Sequence, residues 1–418
     1  MQLDAELFRY SCRTSHGQDA TLIVDRMPKA CAVSIGLWFH AGSAYERDGE
    51  EGLSHFVEHM LFKGAGDMDA QTLSRVIDRE GGSLNAFTER EAVCIHCTLP
   101  ADKAALALSV LLDMAYRPRF TAEEFELEKD IIASEVLAAE DDLEEAGQDE
   151  FYSMSYPGQP IGKRIAGTVE SVRALRFEAL KAFHERHFLK GPLLITVAGD
   201  LRTDELVRIV EERLGSASGH TPAVSAGHQP SLVAGSGIEA PKGVFVPARV
   251  MRRAAGSQVY VFTGMPLREP LCENDYWKLS LISSAYGESM SSRLFMRIRE
   301  REGLCYSIGT SMSFSRLAGL WGISSACSPV QFPRFASAYA REAEELYEHG
   351  LQAEEILEAL SRIRGMLRIA SDDVDYRMNR LARQYLFDGR SETVAETLVR
   401  LDEPSLGDPD HKIGRAHV

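Results

Sequence analysis

Apolar residues recur along the chain in two spacings, which predict an alternation of strands and helices. In the first half, runs rich in Val and Ile predict strands, and apolar residues repeated every three or four positions predict helices. The predicted strands are DATLIVDRM, ACAVSIGLWFHAG, SLNAFTEREAVCIHCTLP and GPLLITVAGD. The predicted helices are GLSHFVEHMLFKG, residues 69–80, DKAALALSVLLDMAY, TAEEFELEKDIIASEVLAAE and SVRALRFEALKAFHERHF.

Polar residues next to these segments predict where two of the helices begin. Ser54 is a suitable N-cap for the GLSHFVEHMLFKG helix. Thr121 and Glu124 match a capping box at the start of TAEEFELEKDIIASEVLAAE. Both helices are therefore expected to begin at a side-chain oxygen that accepts a free backbone N–H group.

The second half repeats the order of the first, after a stretch rich in Gly, Ser, Ala and Pro. Its predicted strands are GSQVYVFTGMPL, LCYSIGTSMSF and LWGISSACSP. Its predicted helices are YWKLSLISSAYG, SSRLFMRIRER, PRFASAYAREAEELYEHG and LQAEEILEALSRIRGMLRIASDD. Aligning Ala122-Glu123-Glu124 with Ala353-Glu354-Glu355 places Met366 opposite Glu135. We therefore expect two domains of one ancestry, of which only the first keeps the polar chemistry.

This repeat predicts the fold class and the domain boundaries. The fold is expected to be α+β, with two homologous α/β sandwich domains, each a mainly antiparallel sheet packed with helices. The predicted segments are a first domain over 1–215, a linker over 216–243, a second domain over 244–411 and a tail over 412–418. Because the closing HKIGRAHV fits neither a helix nor a strand, we expect a non-native tail and a truncated second domain.

The composition is that of a soluble globular protein. Of the 418 residues, 44% are hydrophobic and 26% are charged, and the formal net charge is −16. Phosphate binding needs clustered Lys and Arg, so this acidity argues against nucleic acid as the main partner. The N-terminal stretch lacks the apolar segment of a signal peptide, and no run approaches the roughly 18 apolar residues of a membrane span.

The cysteines indicate a reducing compartment. They number seven and are scattered along the chain, which favours free thiols and predicts a cytoplasmic protein. Cys94 and Cys97 form the motif CIHC inside an alternating segment. Side chains three apart on a strand point to opposite faces, so we do not expect this pair to bind zinc or to act as a redox pair.

The stretch GLSHFVEHMLFKG carries two histidines four residues apart and a glutamate directly before the second. A helix turns about 100° per residue, so His55, Glu58 and His59 share one face. Two imidazoles at this spacing suit a zinc ion, and Glu58 is then placed to take a proton from a bound water. Two ordinary hydrogen-bonded histidines would be the simpler interpretation, but three fixed residues in five favour a metal site.

A third protein ligand is expected from the helix TAEEFELEKDIIASEVLAAE. Glu128 and Glu135 are seven residues apart and share a face, and Ile131 and Ile132 between them look core-facing. Chemistry alone does not choose among the four carboxylates that this region offers, because a run of charges usually lies on a solvated face. They are Glu124, Glu128, Glu135 and Glu140.

The pattern His-x-x-Glu-His is the inverzincin signature. The chain resembles the pitrilysin (insulinase) family of zinc metallopeptidases, most of all the short branch typified by mitochondrial processing peptidase. The resemblance covers nearly the whole chain in the family's order. It is carried by HFVEHMLFKG, GGSLNAFTEREAV, ELEKDIIASEV, YPGQPIGKRIAGTVESV, LLITVAGD and MSSRLFMRIREREGLCYSIGT.

The resemblance implies a complete zinc site in the first half. It implies that His55, His59 and Glu135 bind one Zn²⁺ per chain, that Glu58 is the catalytic base and that Glu128 supports the site from outside the ligand set. The implied activity is that of a zinc metalloendopeptidase, in which Glu58 accepts a proton from the attacking water and passes it to the leaving amine.

The resemblance also implies how a substrate is held. Asn85 and Ala86 match an edge strand along which a peptide or unfolded polypeptide adds as a further strand. Arg299 and Tyr306 match a pair that contacts substrate near the zinc of a partner half, so a homodimer, or a heterodimer with a related subunit, is implied. The alternative function is a non-catalytic peptide-binding or structural subunit of a heteromeric processing complex.

Overall fold

The computed structural model describes residues 6–215, 221–222, 242–252, 255–267 and 273–402. The strands are β1 (Glu6–Arg13), β2 (Asp19–Arg26), β3 (Ala32–Phe39), β4 (Gly64–Ala65), β5 (Met68–Asp69), β6 (Ser83–Thr88), β7 (Val93–Pro100), β8 (Leu193–Gly199), β9 (Thr221–Pro222), β10 (Val259–Pro266), β11 (Ser307–Phe314) and β12 (Gly319–Cys327).

Three short 3-10 segments lie at Ser43–Tyr45, Ala101–Lys103 and Pro160–Gly162. The α-helices make up most of the remaining regular structure. They are α1 (Leu53–Leu61), α2 (Ala70–Asp78), α3 (Ala104–Tyr116), α4 (Ala122–Asp141), α5 (Leu143–Ser155), α6 (Val169–Ala174), α7 (Phe177–His184), α8 (Thr203–Leu214), α9 (Glu273–Tyr286), α10 (Phe332–His349), α11 (Ala353–Ala370), α12 (Val374–Asp388) and α13 (Val394–Arg400). Two π-helical segments lie at Glu185–Leu189 and Phe295–Arg301.

The chain forms two compact units, and each unit combines segments that are distant in sequence. The first unit takes described residues up to Ala138, those from Lys163 to Pro241 and the segment Ile369–Glu396. The second takes Ala139–Gly162, described residues from Lys242 to Arg368 and those from Thr397. The predicted domains were continuous in sequence, whereas each observed unit contains a helix from the other half of the chain. Helix α12 packs on the sheet of the first unit, and α5 packs on the sheet of the second. The predicted linker lies outside the described residues except at 221–222 and 242–243, and the predicted tail lies wholly outside them.

The first unit is built on a seven-stranded sheet in the order β6-β7-β3-β8-β2-β1-β9. Only the β2–β8 pair is parallel, so the sheet is mainly antiparallel, as predicted. One sheet face packs against helices that include α1, α3, α7 and α8, through Phe56, Met60, Leu111 and Phe183. Cys97 lies on this face and Cys94 on the opposite one, which confirms that the two thiols point apart.

The segment SLNAFTEREAVCIHCTLP forms a hairpin, so its prediction as one strand is wrong. Strands β6 and β7 pair antiparallel, and the N–H of Glu89 donates to the carbonyl of Ala92 at 2.7 Å to close the turn. The polar run at its centre reverses the chain without glycine or proline, so the usual turn signal is absent. The reversal leaves β6 at one edge of the sheet.

Helix α12 covers the second face of this sheet. Met378 and Leu381 are fully buried there against Trp38 and Cys94. A Cβ added at Gly36 would lie 2.6 Å from the Met378 sulfur, so the glycine leaves room for the Met378 side chain where the helix crosses β3. The segment from Ile369 therefore belongs to the core of the first unit, although it lies in the second half of the sequence.

The second unit contains a three-stranded antiparallel sheet in the order β10-β12-β11. Helix α5 packs on β10, where the ring of Phe151 lies 6.4 Å from that of Phe262 and a Cβ at Gly147 would meet Phe262 at 2.5 Å. A separate apolar core forms around Trp321 and Phe335. In the part of the chain that the structure describes, no helix has the length and apolarity needed to cross a bilayer.

Two further histidines, at the end of α7 and in the π-helical segment that follows it, are structural residues of the first unit. His184 and His187 are buried, and Nδ1 of His187 donates to the carbonyl of His40 at 2.6 Å. Nε2 of His187 then accepts from Nε of Arg186 at 3.0 Å, which requires the neutral ring. Burial lowers the pKa of His184 to about 4, and burial with the Arg186 charge lowers the pKa of His187 to about 3.

We expect acid to destabilise the protein partly through His187. Unfolding raises its pKa to about 6.5, so the unfolded chain binds one more proton below that pH and stability falls as the pH drops from about 6.5 towards 4. His187→Gln should reduce the slope of the unfolding free energy against pH by about 1.4 kcal/mol per pH unit in this window. Urea unfolding of metal-free protein at several pH values measures this slope. His16→Gln, which changes an exposed histidine, is the control. Equal slopes for His187→Gln and wild type would contradict this expectation.

Candidate metal centre

The helix that carries His-x-x-Glu-His begins at a glycine. Gly52 is the N-cap of α1 with φ of +89°, and the carboxylate of Glu46 accepts from the Gly52 N–H at 3.1 Å. Glu46 also accepts from the N–H of Ser54 at 2.8 Å and from its hydroxyl at 2.7 Å. The prediction of Ser54 as N-cap is therefore wrong, because a buried carboxylate from a preceding loop satisfies the first turn. This contact fixes the start of α1 just before His55.

The imidazoles of His55 and His59 converge on the carboxylate of Glu135. Nε2 of His55 lies 3.6 Å from Oε1 of Glu135, and Nε2 of His59 lies 3.4 Å from Oε2. One donor atom from each of the three side chains falls within 4.8 Å of the others. Ligands about 2.0–2.2 Å from a tetrahedral zinc ion lie about 3.3–3.6 Å apart, and both histidine–glutamate distances fall in this range.

The position of Glu135 follows from the orientation of α4. Ile132 is buried, whereas Ile131 is 52% exposed, so the prediction that Ile131 faces the core is wrong. A turn of about 100° per residue places Ile131 about 60° to one side of Glu128 and Ile132 about 40° to the other. Glu135 falls between Ile131 and Glu128, at the border of the buried face. It therefore reaches the histidines from a half-exposed position.

The two imidazoles have different electrostatic environments. Burial and the neighbouring His59 lower the pKa of His55 to about 4, which keeps its ring neutral with a lone pair available for a metal. Burial also opposes the charged form of His59, but hydrogen bonding to Glu128 and the charge of Glu135 raise its pKa overall. Nδ1 of His55 has no hydrogen-bond partner among the described residues.

Glu128 lies behind His59, on the side away from Glu135. Its carboxylate is buried and accepts from Nδ1 of His59 at 2.8 Å, which leaves Nε2 of the ring facing Glu135. Lys63, two residues after α1, forms an ion pair with the other oxygen of Glu128. Burial alone would raise the pKa of Glu128, but the His59 hydrogen bond and Lys63 lower it overall. This arrangement matches the carboxylate–histidine pairs that orient metal ligands.

We expect Glu128→Gln to weaken zinc binding by about 10- to 100-fold, because the amide holds the His59 tautomer less firmly. Lys63→Met should have a smaller effect in the same direction. Zinc competition with a chromophoric chelator measures both affinities. Glu123→Gln, an exposed change on the same helix, is the matched control and should leave the affinity unchanged. Equal zinc affinity for Glu128→Gln and Glu123→Gln would remove the supporting role of Glu128.

Glu58 lies on α1 facing the edge strand. Its Oε2 accepts from the hydroxyl of Thr88 at 2.5 Å. Burial raises the pKa of Glu58, and the Thr88 hydrogen bond partly offsets this rise. Thr88 and Lys63 had not been identified from the sequence, since neither contact follows from local spacing.

The remaining residues expected from the sequence are divided between the two units. Asn85 and Ala86 lie on the edge strand β6, where Oδ1 of Asn85 accepts from the N–H of Ala86 at 2.9 Å. Arg299 and Tyr306 belong to the second unit. The Arg299 guanidinium lies 4.4 Å from the Phe295 ring centre, and Tyr306 is 76% exposed. The structure therefore brings together His55, Glu58, His59, Glu128 and Glu135, and Ala86 of β6 shares the buried core of α1.

Two family models match the chain. Residues 21–169 match the insulinase domain of peptidase family M16, and residues 174–363 match the domain described as the peptidase M16 inactive domain. An uncharacterized zinc protease of Mycobacterium leprae is 29% identical over 395 residues, covering 94% of this chain and 86% of the relative. One from Bacillus subtilis is 27% identical over 398 residues, covering 95% and 92%.

Solved structures share the fold. The peptidase M16 inactive domain from Pseudomonas fluorescens superposes with a TM-score of 0.78 at 17% identity, covering 98% of this chain and 94% of that one. A protease from Helicobacter pylori gives a TM-score of 0.76 at 15% identity, covering 99% and 97%. The two matched domains, together with the zinc-protease relatives, show that the chain belongs to the M16 (insulinase, or pitrilysin) peptidase family.

Proposed function

We propose that this chain is a zinc-dependent endopeptidase that hydrolyses peptides or unfolded polypeptide segments. The observation that supports this most directly is the convergence of His55, His59 and Glu135, with donor atoms within 4.8 Å of one another and Glu58 on the same helix. A zinc ion bound there supplies Lewis-acid chemistry that polarises a carbonyl and acidifies a water.

Glu58 acts as the general base in this proposal. Burial raises the pKa of Glu58, which makes its carboxylate a stronger base for the proton of the attacking water; the same group then returns that proton to the leaving amine. Glu128 keeps His59 in the tautomer that presents Nε2, through the bond of 2.8 Å to Nδ1. In this proposal the protein therefore supplies three metal ligands in fixed positions and Glu58 as a base next to them.

The substrate is proposed to bind as a strand along β6. This strand is at the edge of the seven-stranded sheet, so its outer backbone groups are available to a peptide. Asn85 and Ala86 lie at its centre and are proposed to contact the peptide backbone. Backbone pairing gives affinity with little demand on side-chain sequence, which suits peptides and unfolded segments.

We further propose that a second subunit completes the site, giving a dimeric chamber. Arg299 and Tyr306 of a second copy, or their counterparts in a related chain, would contact the substrate, and the Tyr306 hydroxyl would donate to the developing oxyanion. The 76% exposure of Tyr306 supports this role, since an exposed phenol is free to reach a partner. Size measurement in solution tests the dimer.

Incubation of purified, zinc-loaded protein with a quenched fluorescent peptide library tests the function. We expect cleavage at internal bonds, identified by mass spectrometry, that a chelator abolishes and added zinc restores. Bound zinc without cleavage would instead favour the alternative of a non-catalytic peptide-binding or structural subunit. Cleavage that persists at zero zinc content would contradict the proposed chemistry.

A further inference from the structure

Thr88 joins the edge strand to the candidate catalytic base. It is the last residue of β6, and its hydroxyl donates to Oε2 of Glu58 at 2.5 Å. No hydrogen bond to Oε1 of Glu58 is found among the described residues, so that oxygen is left for proton transfer. This link connects the strand proposed to hold substrate with the helix that carries the base.

The alternation of β6 explains why Thr88 points towards α1. Leu84 and Ala86 contact the core that contains α1, whereas Phe87 contacts the core on the opposite face of the sheet. Thr88 is two residues beyond Ala86 and therefore shares the α1 side. Since a threonine has a stiff χ1 torsion, the strand fixes the direction of its hydroxyl.

The backbone after Thr88 is held by contacts on two sides. The carbonyl of Glu89 accepts from the N–H of Ser43 at 3.3 Å, and the carboxylate of Glu89 accepts from Arg383 of α12 at 2.6 Å. A Cβ added at Gly42 would lie 2.3 Å from the Glu89 carbonyl oxygen, so the two loops touch closely. The backbone at the end of β6 is therefore held in place, so the Thr88 hydroxyl can orient the flexible side chain of Glu58.

We propose that Thr88 is a positioning residue that holds Glu58 in its working orientation and links the substrate strand to the base. This inference rests on the proposed peptidase function. A glutamate side chain has three rotatable bonds, and one donor on a rigid strand removes much of that freedom. A peptide seated on β6 therefore meets a base whose position is set by the same strand.

The test compares Thr88→Val, which keeps the shape and loses the hydroxyl, with Thr88→Ser, which keeps the hydroxyl. Thr98→Val on the neighbouring strand is the matched control, because Thr98 also donates to a carboxylate, that of Asp375, at 2.5 Å. We expect Thr88→Val to lower kcat by about 10- to 100-fold with KM changed by about twofold at most. Thr88→Ser and Thr98→Val should stay within about threefold of wild type.

The double variant Thr88→Val/Glu58→Gln separates positioning from a general structural effect. If Thr88 acts through Glu58, the double variant should be no slower than Glu58→Gln alone. A fall in kcat of the double variant equal to the product of the two single-variant falls would overturn the inference. So would equal falls in Thr88→Val and Thr88→Ser.

Crystal structures of the variants give a readout that does not depend on activity. Glu58 is expected to occupy one rotamer in wild type and Thr88→Ser, and several in Thr88→Val. An unchanged Glu58 rotamer in Thr88→Val overturns the positioning role. If zinc-loaded wild type cleaves no peptide, the proposed function fails, and the rotamer comparison still decides the role of Thr88.

Discussion

Replacing Glu58 by glutamine is expected to lower kcat/KM for peptide hydrolysis by about a thousandfold or more, while zinc stays bound. Glutamine keeps the size of the side chain and can still contact Thr88, but it cannot accept the proton. Zinc content should not change, because the three donor groups come from His55, His59 and Glu135. Hydrolysis rates and metal analysis on the same sample measure the two properties.

The control for this prediction is Glu123→Gln, an exposed change on α4 that removes the same charge. It should retain wild-type hydrolysis and zinc content. Unchanged hydrolysis in Glu58→Gln would show that another group is the base. Loss of zinc in that variant would show instead that Glu58 helps to hold the metal.

The second large effect is expected at Met378, far from the metal centre in sequence. Met378 is fully buried where α12 covers the first unit's sheet, against Trp38 and Leu381. Met378→Asp would place a carboxylate in this apolar layer without a partner, at an expected cost of about 4 kcal/mol or more. The neighbouring ion pair of Arg377 with Asp25, with Nε 2.7 Å from Oδ2, should be disturbed with it.

Thermal unfolding measures this loss. A cost of about 4 kcal/mol corresponds to a fall in Tm of roughly 8–16 °C for a unit of this size. Met366→Asp is the matched control, because Met366 is 50% exposed on α11 and should shift the Tm by about 2 °C at most. Equal Tm values for the two variants would contradict the role of α12 as part of the first unit's core.

The sequence predicted the part of the site that depends on one helix. The positions of His55, Glu58 and His59 follow from a period of 3.6 residues, so their shared face needed no tertiary information. The choice of Glu135 over Glu128 did not follow from spacing, since both share a face of α4. That choice rested on the family resemblance, and the structure places Glu135 beside the histidines because α4 packs with Ile132 inwards and Ile131 outwards.

The features missed from the sequence depend on contacts between distant segments. Thr88 contacts Glu58 only because the segment after Gly82 folds into a hairpin. The turn contains no glycine or proline, so the sequence did not predict it. Glu46 replaces Ser54 in capping α1 for a similar reason, as a loop brings the carboxylate to the helix start. The helix with Met378 was not among the predicted helices, and its residues were expected in the second domain, because the sequence pattern does not say which sheet a segment covers.

The most direct test of the proposed zinc site is a crystal structure of zinc-soaked protein with an anomalous difference map at the zinc edge. A single strong peak is expected about 2.0–2.2 Å from Nε2 of His55, Nε2 of His59 and a carboxylate oxygen of Glu135. Glu135→Gln crystals treated alike should lose most of that peak. A peak elsewhere, or one of full height in Glu135→Gln, would contradict the proposed site.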